Sequence, residues 1–226
     1  MEVVCKELRI NQRCFCIMAP SGRVRALFYS EVKDYERECD ALEKIFAKFR
    51  KEKIRSILDV GCGTGHHAII LSNRNYIVTG IDMSKIMVRK AEENARMEKT
   101  NVEFFSQDVR KMRLERKFNC AIMSEVFPHL LTQADIDGAL SSLNQHLDEE
   151  GLFIFDFWNT VGASKIARAF SEAYKIKYYT LSEIKQYLEN NGFDLLAVYD
   201  WNAQDKAQLE TPKKRTFQIL AVAAKS

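Results

Sequence analysis

The chain has no run of the roughly 18 apolar residues that a bilayer-spanning helix needs, so no membrane span is expected in its 226 residues. Its opening, MEVVCKELRINQR, scatters charge where a secretory leader would be apolar, which argues against export. Net charge is scarce: 34 Lys and Arg stand against 31 Asp and Glu, a formal +3. That is too little by itself to bring the chain to nucleic acid. Metal-binding cysteine pairs are missing too. Cys14 and Cys16 have the wrong spacing for a zinc knuckle, and no second pair stands beside them. Cys5, Cys14, Cys16, Cys39, Cys62 and Cys120 are therefore expected as reduced thiols in a cytoplasmic setting. No internal repeat or low-complexity segment is present. The remaining composition, 46% hydrophobic and 29% charged, suits one α/β domain with a full core.

The most informative stretch is IRSILDVGCGTGHHAIILSNRNYIVTGIDMS, Ile54 to Ser84. A strand-like run, Ile57 to Val60, leads into a turn with Gly61, Gly63 and Gly65. A helix-like segment follows, with Ala68, Ile69, Ile70 and Leu71, and then a β-rich run, Tyr76 to Ile81, ending on Asp82. A β-α-β unit of this kind suits a nucleoside-containing cofactor: glycines let the backbone approach the ligand, and the acid can accept from ribose hydroxyls. The spacing narrows the choice. A dinucleotide fingerprint starting at Gly61 needs glycine at position 66, which is His66. Asp59 also stands two residues before the first glycine, where its carboxylate would repel a pyrophosphate but hold an ammonium.

With Asp59-x-Gly61-x-Gly63-x-Gly65 and the later Asp82, the chain resembles the class I S-adenosylmethionine-dependent methyltransferases. The resemblance implies S-adenosyl-L-methionine as cofactor, with Asp59, Gly61, Cys62, Gly63, Gly65, Asp82 and Met83 around it. It adds Gln107, Asp108 and Val109 after the next strand, where an acid accepts from the adenine amino group and a backbone N–H reaches a ring nitrogen. Ser124, at the end of the fourth strand, completes the set. The strings Lys33-Asp34-Tyr35, Cys62 to Ala68 and Asp156 to Asn159 are similar to the aminosugar and small-amine branch of that family. There, tyrosines of the first helix close over the methionine end of the cofactor, which marks Tyr29 and Tyr35.

The rest of the chain alternates in the same way. Helical spacing runs from Glu31 to Arg50, and Ser84 is expected to cap a helix through about Glu98. Strands are expected at Val102 to Phe105 and at Phe118 to Ser124, and a helix from about Gln133 to Leu147. Glu149-Glu150-Gly151 reads as a turn into a strand from Leu152 to Phe157. Thr180 with Glu183 forms a capping box for a helix that stops at Gly192. Leu195 to Tyr199 and Phe217 to Val222 read as a final pair of strands. The expected fold is a doubly wound, mostly parallel sheet of seven strands, with the antiparallel last strand that the family adds. Residues 1–30 are set apart as a cap or edge segment, and 31–226 as the methyltransferase domain.

The expected chemistry is in-line methyl transfer to nitrogen or oxygen of a small-molecule acceptor. His129 is the first choice of base, Glu125 the second and Tyr29 the third. His66 and His67 are expected to pack or cap rather than to bind metal. The aminosugar branch carries a β insertion after the fifth strand, whereas about twenty residues here, Thr160 to Tyr179, join Asn159 to the next helix. A more open acceptor pocket, a cover from the N-terminal residues, or a homodimer or partner chain would follow. Two other readings stand beside this one: a cofactor-binding subunit that needs a partner, and a nucleotide-dependent oxidoreductase. Nucleic acid is an unexpected acceptor, since Ser-Glu-Val-Phe-Pro-His replaces the Asn/Asp-Pro-Pro-aromatic string of adenine methyltransferases.

Overall fold

The computed structural model describes residues 33–162, 175–201 and 206–226. Seven strands form one sheet: β1 (Ser56–Val60), β2 (Ile77–Asp82), β3 (Glu103–Ser106), β4 (Phe118–Met123), β5 (Leu147–Trp158), β6 (Phe193–Asp200) and β7 (Gln218–Lys225). Their order is β3-β2-β1-β4-β5-β7-β6. The first five are parallel, and β7 lies antiparallel between β5 and β6. The expected sheet is the one observed.

Both faces of the sheet are covered, so its strands read as nearly continuous apolar runs. Successive residues still divide by face. Ile57, Cys120, Ile122, Leu152, Ile154 and Val222 pack with helices α1 (Tyr35–Phe49), α2 (His66–Asn73) and α3 (Lys85–Met97). Leu58, Val60, Ala121, Met123, Phe153, Phe155 and Ala221 pack with α4 (Gln133–His146) and α5 (Leu181–Asn190). On that second face Phe153, Phe155 and Phe127 stack in series, with centroids 4.6 and 4.7 Å apart. Such ring contacts add to simple area burial.

The helix ends follow local capping chemistry. Ser84 accepts from the Met87 N–H, and the Thr180–Glu183 capping box is complete. Gly192 then takes a left-handed φ of 74° after α5. Two expectations need correction. Helix α1 begins at Tyr35 instead of Glu31, because Asp34 caps it by accepting from the Arg37 N–H. The turn at Glu149-Glu150-Gly151 does not precede β5 but interrupts it. Leu147 already pairs with Phe118, and the register shifts before Cys120 meets Leu152. Glu150 takes up the slack with a φ of 57°, and Arg50 donates to the Glu149 and Glu150 carbonyls.

The chain builds β1, β2 and β3 outward in one direction, then returns to place β4 on the other side of β1. In open α/β sheets the crevice beyond the strand ends at such a reversal is where ligands bind. The turns after β1 and β4 meet there.

Candidate cofactor and acceptor site

The turn after β1 is held by backbone bonds from Gly61 and Cys62 N–H to the Ile81 carbonyl, 2.7 and 2.9 Å, and by Gly65 N–H to Cys62 at 2.9 Å. Gly61, Gly63 and Gly65 all have left-handed φ values, of 69°, 55° and 84°. Their surroundings differ. A Cβ on Gly61 would stand 2.2 Å from Val126 Cγ2, whereas one on Gly63 would meet nothing within 4 Å among the described residues. Gly61 is thus required for close approach of the turn after β4. Gly63 leaves open space of the kind a ligand fills.

Two acids flank this turn. Asp82 accepts from Gly63 N–H at 3.1 Å and from Ser84 N–H at 2.8 Å, which fixes its carboxylate at the end of β2. Asp59 is 2% exposed and accepts from the Ala68 backbone N–H, but its Oδ2 is buried without a hydrogen-bond partner among the described residues. Burial pushes its carboxyl up to about 6, with His67 and Lys33 pulling the other way. A buried carboxylate oxygen lacking a donor is costly and fits a cationic ligand group. The open glycine and this acid suit the ammonium end of S-adenosylmethionine.

The remaining cofactor candidates differ in their surroundings. Met83 is 73% exposed beside Asp82. Gln107 N–H donates to the Asp82 carbonyl, but its side chain is occupied by both backbone groups of Arg113. Asp108 caps the short 3-10 helix of Val109–Lys111, and Arg110 engages both of its oxygens. Arg110 holds the Asp108 carboxyl below its ordinary range and reaches on to Asp135 at 2.5 Å. Val109 is buried. Cys62 is half-buried in the glycine turn; burial, then Asp59 and Asp82, push its thiol up. Cys39, Cys62 and Cys120 are free thiols.

On the acceptor side, Ser124 and Glu125 follow β4. Ser124 Oγ accepts from Lys33 Nζ at 3.1 Å, and Glu125 lies 3.6 Å from the same ammonium. His129 is exposed, in the 3-10 helix Phe127–His129. Tyr35 stacks on His66, with centroids 4.6 Å apart, and meets His67 edge-on at 4.9 Å. Burial raises the Tyr35 phenol, and Lys33 opposes the rise. Tyr29 lies outside the described residues, as do 163–174 of the expected short connection. No cluster of three or more metal-ligating side chains occurs among the described residues.

A buried polar cluster was not foreseen. Glu38 is 1% exposed and accepts from Lys33 at 3.1 Å, His67 at 2.9 Å, and Lys206. Burial opposes its ionisation, but Lys33, Lys206 and His67 outweigh that and hold the carboxyl well below its usual range. Lys33 is correspondingly kept protonated: Glu125 and Glu38 overcome its burial. The signal was available, since Glu38 lies on the same helix stripe as Leu42 and Ile45. Asp156, fully buried on β5, was also missed as a site residue; it accepts from Glu125 N–H and Gln218.

A seven-stranded sheet with this order, a glycine turn at its reversal and acids after β1 and β2 defines the class I methyltransferase architecture. Comparison with known proteins agrees. Residues 57–151 match the family described as "Methyltransferase domain". The chain is 31% identical to dTDP-3-amino-3,6-dideoxy-alpha-D-glucopyranose N,N-dimethyltransferase of Streptomyces fradiae, over 61% of this chain and 54% of that one. It is 29% identical to malonyl-[acyl-carrier protein] O-methyltransferase of Acetivibrio thermocellus, over 52% and 40%. A crystal structure of an S-adenosylmethionine-dependent methyltransferase from Clostridium acetobutylicum superposes with a TM-score of 0.74 at 17% identity, covering 89% of this chain and 97% of that one. The chain spans about half the length of the curated relatives it matches. Residues 57–151 are thus similar to the methyltransferase domain family, and the fold is the one shared by solved S-adenosylmethionine-dependent methyltransferases.

Proposed function

We propose that this protein binds S-adenosylmethionine and transfers its methyl group to nitrogen or oxygen of a small molecule, in the cytoplasm. The observation that carries the reading is the buried Oδ2 of Asp59, without a hydrogen-bond partner among the described residues, on the strand that leads into the glycine turn. Asp59 would receive the ammonium of the methionine end, and Asp82, pre-set by Gly63 and Ser84 N–H groups, the ribose hydroxyls. Met83, Gln107, Asp108 and Val109 line the expected adenine end. For Asp108 to accept from adenine, Arg110 must share or yield its hold.

When bound, the cofactor supplies a methyl group already activated by its sulfonium. The chain's own task is positioning, which can contribute roughly 7–11 kcal/mol toward an in-line displacement. Ser124 and Glu125 stand at the carboxyl end of β4, next to the reversal, and orient the acceptor. Glu125 or His129 takes the acceptor's proton, and Tyr29 and Tyr35 cover the methionine end. Lys33 Nζ lies 3.6 Å from the Glu125 carboxylate and holds it beside Ser124. The relatives include both an aminosugar N-methyltransferase and an acyl-carrier O-methyltransferase. Both acceptor atoms therefore enter the test.

Calorimetric titration with S-adenosylmethionine and with NAD, on the wild type and on Asp82→Ala, tests the cofactor. Micromolar binding of the former, weakened at least tenfold in the variant and absent for NAD, is expected, about the size of lost charge-assisted hydrogen bonds. Tight NAD binding, or binding of neither, overturns the reading. Transfer of a labelled methyl group to an amino-sugar nucleotide and to malonyl-acyl carrier protein then separates the acceptor classes.

A further inference from the structure

Among the described residues Glu125 is the one non-glycine residue with a left-handed backbone, φ 60°, at the carboxyl end of a central parallel strand. Strain of this kind persists only where neighbours enforce it. The enforcing contact is specific. Glu125 N–H donates to Asp156 Oδ1 at 2.6 Å, the short distance of a bond to an ionised acceptor. Gln218, from β7, donates to the other oxygen at 2.7 Å. Asp156 has no exposed surface. The next residue, Val126, packs so closely on Gly61 that no side chain fits there. A continuous chain of contacts therefore runs from β7 through Asp156 and the turn after β4 to the glycine turn after β1.

We propose that Asp156 is a positioning residue whose carboxylate holds the Glu125–Val126 turn against Gly61, and so sets the shape of the cofactor turn. The proposal rests on the reading of the glycine turn as the S-adenosylmethionine site. The charged groups facing Asp156 are Glu125 and Lys33, and Gln218 is its neutral partner. Burial, reinforced by Glu125, raises the Asp156 carboxyl to about 6. The grip is therefore strongest above that pH and relaxes below it.

Asp156→Asn keeps the shape and removes the charge. In the ¹⁵N-labelled wild type, the Glu125 amide should lie downfield at about pH 8 and move upfield as Asp156 takes up its proton. In Asp156→Asn that position should be empty at every pH, and the Gly61 amide should shift with it. The dissociation constant for S-adenosylmethionine should rise roughly tenfold, the size of one charge-assisted hydrogen bond. An unmoved Glu125 or Gly61 amide, or an unchanged dissociation constant with only a lower melting temperature, would make Asp156 an ordinary core residue and overturn the proposal. If Asp156→Asn does not fold, Gln218→Leu removes the second donor to Asp156 and should raise the midpoint of the Glu125 amide titration; an unmoved midpoint overturns the proposal. A wild type that binds no S-adenosylmethionine defeats the cofactor reading instead, and the Gly61 amide alone then decides whether Asp156 sets the turn.

Discussion

Asp59 sets stability against ligand binding within one side chain. Its Oδ2 is buried with no donor among the described residues, so the folded chain prefers the neutral acid, with the carboxyl raised from 3.8 to about 6 by burial. That difference corresponds to about 3 kcal/mol of disfavoured ionisation. The folded state holds more protons than the unfolded chain between these values. Stability is therefore fully present below about 4 and is lost as pH rises through about 6. Asp59→Asn removes the titration. We expect it to raise stability at pH 7 by about 1–3 kcal/mol, read from denaturant unfolding, because the amide carries no charge to bury. We also expect it to abolish calorimetric binding of S-adenosylmethionine. A variant that is destabilised and still binds would show that Asp59 is a structural acid.

At the scale of the element, the glycine turn separates two uses of one residue type. Gly61→Ala should be severe, since the new Cβ meets Val126 Cγ2 at 2.2 Å on a backbone with φ 69°. Gly63→Ala has the same kind of backbone cost, about 1–2 kcal/mol, but no neighbour within 4 Å. It should therefore fold with a modest loss and bind S-adenosylmethionine at least tenfold more weakly, because the methyl occupies the ligand's space. Equal binding losses with equal destabilisation would refute the distinction. This turn was readable because glycine spacing, the strand before it and the acid after β2 all constrain one short unit. The capping residues Ser84 and Thr180 were readable for the same local reason. The interruption of β5 was not, because Glu149 to Gly151 look like a turn whether it precedes a strand or lies within one. Nor was the occupation of Asp108 by Arg110, which depends on where α4 brings Asp135.

Across the whole molecule the buried charges couple elements that are far apart in sequence. Glu38 joins the segment before α1 (Lys33), the start of α2 (His67) and the connection between β6 and β7 (Lys206). Sequence order hides this, since the partners are up to 168 positions apart. The cluster sets the pH response together with the two raised aspartates. Glu38, held ionised by its basic partners, contributes stability that is present above its unfolded value of about 4.3 and is lost as pH falls through its lower folded value. Asp59 and Asp156 act in the opposite sense, since burial raises both to about 6 and stability is lost as pH climbs through that value. The ligand-free protein is therefore expected to be most stable near about pH 4, with melting temperature falling on both sides. Glu38→Gln should flatten the acid limb. It should also lower stability at neutral pH by a few kcal/mol, about 3 at most, because it removes the buried carboxylate that Lys33, Lys206 and His67 share. Combining Asp59→Asn with Asp156→Asn should flatten the limb between about pH 4 and 6 instead. Saturating S-adenosylmethionine should shift the wild-type optimum toward neutrality, because a ligand that prefers ionised Asp59 binds more tightly as pH rises. Thermal unfolding from about pH 3 to 8, with and without ligand, reads all of these. A wild-type profile that is flat from about pH 4 to 6, unaltered by the double substitution, would mean that the aspartates are not held as raised, buried acids.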